Sequence, residues 1–143
     1  MQDWILHEHS SEPDEKPNRG NAMIKSYRDL KIWNQSMDLA VDCYHLTRGF
    51  PRSEQYGLSN QLKRTAVSIP SNIAEGNERQ HTKEFIQHLS IAYASLAELE
   101  TQLELARRLG YLENKSLNKY LTRTNEIGKM INGLRRSLKK TDL

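Results

Sequence analysis

The chain has 143 residues, 36% hydrophobic and 7% aromatic, with a formal net charge of +3. That length suits one domain with a single core, and the abundance of Leu, Ala, Glu, Lys and Arg favours helices over sheets. The single cysteine, Cys43, excludes an internal disulfide and no apolar run reaches the roughly 20 residues that cross a bilayer, so we expect an all-α cytoplasmic protein with no membrane contact.

Residues 1–22 lack the periodicity of a helix or a strand and are rich in Ser, Glu, Pro, Asn and Gly. Such a composition buries too little apolar surface to offset the entropy of ordering, so we predict a disordered extension there. Met23 stands just before the first periodic segment and is a candidate start of the protein. The folded domain is expected to occupy residues 23–143.

Four amphipathic helices are predicted in that domain, because apolar residues recur at spacings of three and four. A polar residue that can cap the helix precedes each one: Ser26, Ser53, Thr82, and Asn114 or Ser116. The connections are only a handful of residues long, which makes sequential helices antiparallel. The sequence therefore predicts an up-down-up-down four-helix bundle.

The same spacing predicts the side of each helix that faces the core. In the first helix these residues are Leu30, Trp33, Met37, Val41 and Tyr44, and in the second they are Tyr56, Leu58, Leu62, Ala66, Ile69 and Ile73. In the third they are Phe85, Leu89, Ala92, Leu96, Leu99, Leu103 and Ala106, and in the fourth Leu117, Leu121, Thr124, Ile127, Ile131, Leu134 and Leu138.

The second helix has a proline, Pro70, in its interior. An interior proline removes one backbone hydrogen bond and bends the helix, so a kinked second helix is predicted, with Ser68 or Asn72 bonding the freed backbone group. Gly76 is predicted to end the second helix in a left-handed conformation, as Gly110 is predicted to end the third helix.

A second interpretation of the same segment is a site of assembly. Asn72, Glu75 and Arg79 are spaced three and four apart and can form a polar site at a subunit junction together with Pro70 and Gly76. A buried Glu75 would then need a cationic partner, such as Arg64 or Arg79.

No set of residues in the sequence points to catalysis. The five histidines form no His-x-x-x-His or Glu-x-x-His pair of the kind that binds metals in bundles, and His81 and His88 are interpreted as solvated. No glycine-rich phosphate loop is present, and Cys43 is interpreted as a small core residue. We therefore expect a protein that is not an enzyme and has no metal or cofactor.

The basic residues point to a polyanion. Residues 115–140 hold eight basic residues against one acid, Glu126, and phosphate contacts by such residues give salt-dependent, weakly sequence-selective binding. The candidate nucleic-acid-binding residues are Lys63, Arg64, Lys115, Lys119, Arg123, Lys129, Arg135, Arg136, Lys139 and Lys140. The plainer interpretation is a charged face that only keeps the bundle soluble.

Ordered motifs run through residues 27–113, among them Asp29-Leu30-x-Ile32-Trp33, Ser68-Ile69-Pro70-x-Asn72-Ile73-Ala74-Glu75-Gly76 and Leu109-Gly110-Tyr111-Leu112. With these motifs the chain resembles the 23S rRNA intervening-sequence (S23-like) proteins. The resemblance implies a four-helix bundle that assembles as a homopentameric barrel. It also implies kinship with the accessory variability determinant of diversity-generating retroelements, a basic pentamer that binds a reverse transcriptase and nucleic acid.

Two functions are consistent with the sequence. The first is a non-enzymatic, oligomeric scaffold that binds RNA or DNA, with a reverse transcriptase as a candidate partner. The second is a protein-interaction or structural oligomer without nucleic-acid binding.

Overall fold

The computed structural model describes residues 26–141, which fold into four α-helices: α1 (Lys31–Thr47), α2 (Leu58–Glu78), α3 (Thr82–Arg108) and α4 (Asn114–Thr141). Each helix packs against its neighbours in sequence, and α4 also packs against α1, which closes the ring. No strand occurs within this range. The predicted all-α four-helix bundle is confirmed, whereas the predictions about residues 1–22 and Met23 lie outside the described residues.

The core lies along the centre of the bundle, where the predicted inward residues of α3 are all buried. In α4, Leu117, Thr124, Ile127, Ile131 and Leu138 are buried, while Leu121 and Leu134 are partly buried against the core. The spacing of apolar residues therefore identifies the inner faces of these two helices correctly.

The predicted inner face of α1 is wrong at its C-terminal half. Val41 and Tyr44 are 49% and 45% exposed, while Leu39, Ala40 and Cys43 face the core. Two faces of α1 have the spacing of an apolar stripe. The face that packs between α2 and α4 is the one with the smaller side chains, because it permits a closer approach of the helices.

The predicted start of α2 is wrong as well. Ser53 lies in a short 3-10 turn, Arg52–Glu54, and α2 begins at Leu58, which leaves Tyr56 88% exposed. The Glu54 carboxylate accepts hydrogen bonds from the Leu58 amide (3.2 Å) and the Tyr111 hydroxyl (2.9 Å). Glu54 thus takes the role predicted for Ser53, since it satisfies the first free amide of the helix.

The remaining helix ends differ from prediction by a few residues. Ser26 caps a 3-10 turn, Tyr27–Asp29, ahead of α1, and Thr82 is the first residue of α3 with no side-chain cap before it. Gly110 ends α3 as predicted. Its φ is +86°, and the amides of Gly110 and Tyr111 bond back into the last turn, in the pattern of a Schellman motif.

Candidate nucleic-acid interface and the Pro70 segment

Five basic residues lie on the side of α4 opposite its buried side. They are exposed, and successive members are separated by multiples of three to four residues, which places them along one side of the helix. We call them the α4 basic face: Lys115, Lys119, Lys129, Arg136 and Lys140. Lys139 is also exposed but lies further round the helix, and the one acid of α4, Glu126, is exposed among them.

Two other predicted binding residues make contacts within the chain. Arg123 forms an ion pair with Asp42 of α1, whose carbonyl oxygen accepts a hydrogen bond from Tyr120 (3.0 Å). Arg135 donates to Asn132 (2.9 Å), and its guanidinium carbon lies 5.9 Å from the centre of the Tyr93 ring. Both arginines therefore fasten α4 to its neighbours, and a phosphate would have to compete with these contacts.

Lys63 and Arg64 lie apart from the α4 basic face. They belong to α2, and α2 makes no contact with α4 among the described residues. Arg64 is exposed, whereas the Lys63 ammonium lies 5.2 Å from the centre of the Tyr44 ring of α1. The structure therefore brings together only part of the predicted set of basic residues.

The Pro70 segment faces α3. Because Pro70 has no amide hydrogen, the Ala66 carbonyl loses its helical donor. The Ser68 hydroxyl donates to the Thr65 carbonyl (2.6 Å), and the Asn72 side chain donates to the Ser68 carbonyl (2.9 Å). Both side chains bond backbone carbonyls, but neither bonds the Ala66 carbonyl that the proline frees, so that part of the prediction is wrong. The helical assignment of α2 continues through Pro70, and the kink stays a prediction.

Two polar contacts join this segment to α3. The Ser68 hydroxyl lies 2.9 Å from that of Ser95, and the Asn72 side-chain oxygen lies 3.0 Å from Nδ1 of His88. Since the Asn72 amide already donates to a carbonyl, its oxygen accepts, and Nδ1 is the protonated nitrogen of His88. The interpretation of His88 as a solvated residue is wrong. The spacing of His88 and Ser95, seven apart on α3, is the signal that could have revealed this contact.

Gly76 does not end α2. The helix continues to Glu78, and the residue with positive φ in the following turn is Gln80, at 60°. A Cβ atom on Gly76 would lie 2.6 Å from Cβ of His88 and 3.0 Å from the Phe85 ring. The absent side chain therefore permits the close approach of α2 and α3.

Glu75 and Arg79 lie outside this contact. Glu75 is exposed, so its carboxylate does not need a cationic partner within the single chain. Arg79 instead faces Glu84 of α3 at 3.7 Å, with both side chains about half exposed. Of the predicted assembly residues, Asn72, Pro70 and Gly76 serve the inside of the bundle, whereas Glu75 is exposed and Arg79 is paired with Glu84 at the surface.

Among the residues that the structure describes, three ionisable groups have strongly shifted pKa values. Burial raises the pKa of the Cys43 thiol to about 12, which suppresses the nucleophilic thiolate. Burial also raises the pKa of Tyr120 to about 12. At the surface of α3, hydrogen bonds from Arg107 (2.9 Å) and Arg108 (2.8 Å) lower the pKa of Glu104 to about 2.

Between residues 26 and 141, no three His, Cys, Asp or Glu side chains are grouped so that they could hold a metal ion. No helix in the same range is long and apolar enough to cross a membrane.

Comparison with known proteins gives a family for the chain. The model of the 23S rRNA-intervening sequence protein family matches residues 28–133, which extends the resemblance into α4. Among solved structures, the chain is similar to a protein of unknown function from the S23 ribosomal protein family of Bacteroides thetaiotaomicron, with 26% identity and a TM-score of 0.70. That match covers 76% of this chain and 98% of the other. No match was found among curated proteins. The kinship with the accessory variability determinant stays a prediction, but the chain belongs to the 23S rRNA-intervening sequence protein family.

Proposed function

We propose that this protein is a non-enzymatic, homo-oligomeric scaffold that binds RNA or DNA through phosphate contacts. The observation that carries the proposal is the α4 basic face, whose cations are exposed and whose helix contains a single acid, Glu126. By contrast, α3 mixes both signs, and its Glu104 is paired with two arginines. A helix face that only kept the protein soluble could carry charges of both signs.

The length of the α4 basic face suits a nucleic-acid backbone. Lys115 and Lys140 are 25 positions apart, which corresponds to about 38 Å at 1.5 Å per residue. One turn of B-form DNA has a similar length, about 34–36 Å. A straight helix meets a curved phosphate strand over only part of that length, so each chain would make few contacts. Strong binding would therefore require several copies of the face.

We propose that self-assembly repeats the α4 basic face several times, and that the assembly is a homopentamer. The pentamer rests on the family resemblance. It is supported by three exposed apolar side chains, those of Ile91 and Leu105 in α3 and of Leu109 just after it, which are 47%, 46% and 49% exposed. Burial of these side chains between copies would be favourable.

The most specific form of the proposal is an accessory role beside the reverse transcriptase of a diversity-generating retroelement. This form is supported by the family resemblance alone. A reverse-transcriptase gene and a variable repeat beside the gene for this chain would support it. Their absence from the neighbourhood would leave the general scaffold proposal.

A structural or protein-interaction oligomer is the second candidate function. The exposed side chains of Ile91, Leu105 and Leu109 favour it, because large exposed apolar side chains are more typical of protein contacts than of nucleic-acid contacts. In this case the basic face would keep the assembly soluble, and the protein would not bind nucleic acid.

Fluorescence anisotropy with single-stranded RNA and duplex DNA, at 50 and 200 mM salt, separates the two candidates. With about five phosphate contacts, duplex affinity should fall roughly 500-fold between these salt concentrations. The variant Lys119→Gln/Lys129→Gln/Arg136→Gln should bind more weakly and show a shallower salt dependence. These three residues are chosen because they are exposed and make no ion pair within the described chain, whereas Arg123 is paired with Asp42.

The matched control is Lys31→Gln/Lys83→Gln/Arg108→Gln, which removes the same charge from exposed positions outside α4. Equal loss of binding in both variants, or no binding by the unmodified protein at 50 mM salt, would eliminate the proposed function. Light scattering of the same samples measures the oligomeric state, and a monomer would eliminate the assembly.

A further inference from the structure

A second basic region lies outside α4, in a cavity of about 410 Å³ where the end of α1 meets the start of α2. Three cationic side chains line it, Arg48, Arg52 and Lys63, and its lining within the described chain includes no Asp or Glu. A volume of this size is within the range of small-molecule sites. The charge of the lining favours an anion.

The ends of the two helices strengthen this preference. The carbonyl end of α1 would ordinarily repel an anion. Here the amides of Arg48, Gly49 and Phe50 bond three of its last carbonyls, at 3.2, 3.1 and 3.1 Å. The first turn of α2 faces the same cavity through Ser59, which precedes the first intrahelical donor of α2, Gln61. The Leu58 amide is already bonded to the Glu54 carboxylate, so the amides of Ser59 and Asn60 are the ones that could attract an anion at this helix start.

Ser59 adds a hydroxyl to the cavity wall. The residue is only 6% exposed and lines the cavity beside the three cationic side chains. A hydroxyl in this position can donate a hydrogen bond to a ligand oxygen.

The aromatic residues define the rest of the ligand. The Tyr44 ring is 45% exposed and forms part of the cavity wall beside the Lys63 ammonium. Phe50 is buried at the cavity and packs against Tyr111, with 5.3 Å between the ring centres. A ligand that carries an anionic group on a planar or apolar moiety would therefore contact both the cationic and the aromatic parts of the cavity lining.

We propose that this cavity binds a nucleoside monophosphate. Arg48, Arg52 and Lys63 contact the phosphate, Ser59 donates to a phosphate oxygen, and Tyr44 contacts the sugar and base. The ligand is either a free nucleotide or the phosphorylated end of a nucleic-acid strand, since both present the same group. The proposal does not depend on the α4 basic face, because α2 and α4 are not in contact within the described residues.

Isothermal titration of the full chain with adenosine monophosphate, adenosine and inorganic phosphate tests the site. We expect saturable binding of the monophosphate with one site per chain, weaker binding of phosphate, and the weakest binding of adenosine. Arg48→Gln and Arg52→Gln should each weaken monophosphate binding about tenfold. Ser59→Ala should weaken it several-fold, with an unchanged circular-dichroism spectrum.

Two controls remove charge outside the cavity: Arg64→Gln, next to Lys63 in sequence, and the triple variant of the α4 basic face. Both should bind the monophosphate as tightly as the unmodified chain. The proposal is overturned if the monophosphate does not bind at millimolar concentration, if adenosine binds equally well, or if either control weakens binding as much as Arg48→Gln.

Displacement of a fluorescent adenosine monophosphate distinguishes the two sources of the ligand. If an oligonucleotide with a 5′-phosphate displaces it better than the same oligonucleotide with a 5′-hydroxyl, the site takes strand ends. If neither oligonucleotide displaces it and unlabelled monophosphate does, the site takes the free nucleotide. Failure of the α4 variant to bind long nucleic acid would not affect either result, so the two proposals fail separately.

Discussion

Replacement of Gly76 by alanine tests the close packing of α2 on α3. The added Cβ would lie 2.6 Å from Cβ of His88, a distance that real Cβ atoms essentially never show. The clashing atom of His88 is attached directly to the backbone, so the clash cannot be relieved by rotation of a side chain. Relief requires that α3 move away from α2, which also disturbs the bond between Asn72 and His88.

The magnitude follows from two opposing effects. Alanine favours a helix over glycine by about 1 kcal/mol, whereas overpacking costs about 1–3 kcal/mol. The rigid contact places Gly76→Ala near the upper end of that range, so we expect a net loss of about 2 kcal/mol in the free energy of unfolding. With a urea m-value of about 2 kcal/mol/M, the midpoint should fall by about 1 M.

Gly133→Ala is the matched control in α4. The nearest atom to its added Cβ is the Arg136 guanidinium nitrogen, at 3.9 Å, and its φ is not positive. The helix propensity then acts alone, and the urea midpoint should rise by about 0.5 M. Both variants should be measured at one protein concentration, since self-association would change the apparent stability. A Gly76→Ala protein as stable as the Gly133→Ala protein would refute the packing argument.

Three further predictions concern ionisable groups. The Cys43 thiol should not react with Ellman's reagent at pH 8 in the folded protein, because burial raises its pKa to about 12. In urea it should react within seconds to minutes. Rapid reaction without urea would contradict its burial. The pKa of Glu104 is lowered to about 2, so its stabilising effect is fully present above its ordinary pKa of 4.5 and is lost as the pH falls through 2. Glu104→Gln should be less stable than the unmodified chain at pH 7, and thermal unfolding should show that the difference shrinks below pH 4.5 and approaches zero below pH 2. A difference that does not change with pH would contradict this assignment. Replacement of Arg123 by Gln should lower the free energy of unfolding by at most about 1 kcal/mol, since its ion pair with Asp42 is partly exposed. A larger loss would contradict this prediction. If the double variant Arg123→Gln/Asp42→Asn were then more stable than Arg123→Gln, the unpaired Asp42 carboxylate would be the cause of the larger loss.

The sequence predicts the helices of this bundle well because their existence depends on local periodicity. It fails where two choices satisfy the same spacing. In α1, the spacing predicts Val41 and Tyr44 on the inner face, but the face with Ala40 and Cys43 is buried instead. Which face is buried depends on how closely α2 and α4 approach, and that distance is a property of the assembled bundle. Gly76 is a similar case, since its role depends on the position of His88 on another helix.

The two candidate sites also differ in whether the sequence alone reveals them. The α4 basic face is visible in the sequence because its residues lie on one helix, and one helix has a known geometry. The cavity is not visible, because Arg48 and Arg52 are single basic residues in a connection, and Lys63 is 11 positions further along. Only the antiparallel packing of α1 on α2 brings these charges together around Ser59. A search for runs of basic residues therefore finds surfaces on one helix and misses sites between helices.

The arrangement of the two basic regions restricts how one nucleic-acid strand could use both. The cavity lies at the junction of α1 and α2, and α2 is not in contact with α4 within the described chain. A strand held at its phosphorylated end in the cavity would therefore have to leave α2 before it reached the α4 basic face of the same chain. In an oligomer, the α4 basic face of a neighbouring chain could receive it instead. A strand that is bound by both regions should consequently bind the unmodified oligomer much more tightly than an oligomer in which every chain lacks the same region. Assembly of the Arg48→Gln chain with the triple α4 variant measures this directly. If the mixed oligomer binds a 5′-phosphorylated strand better than either parent, the two regions act across chains; binding no better than that of the parents would show that they act independently.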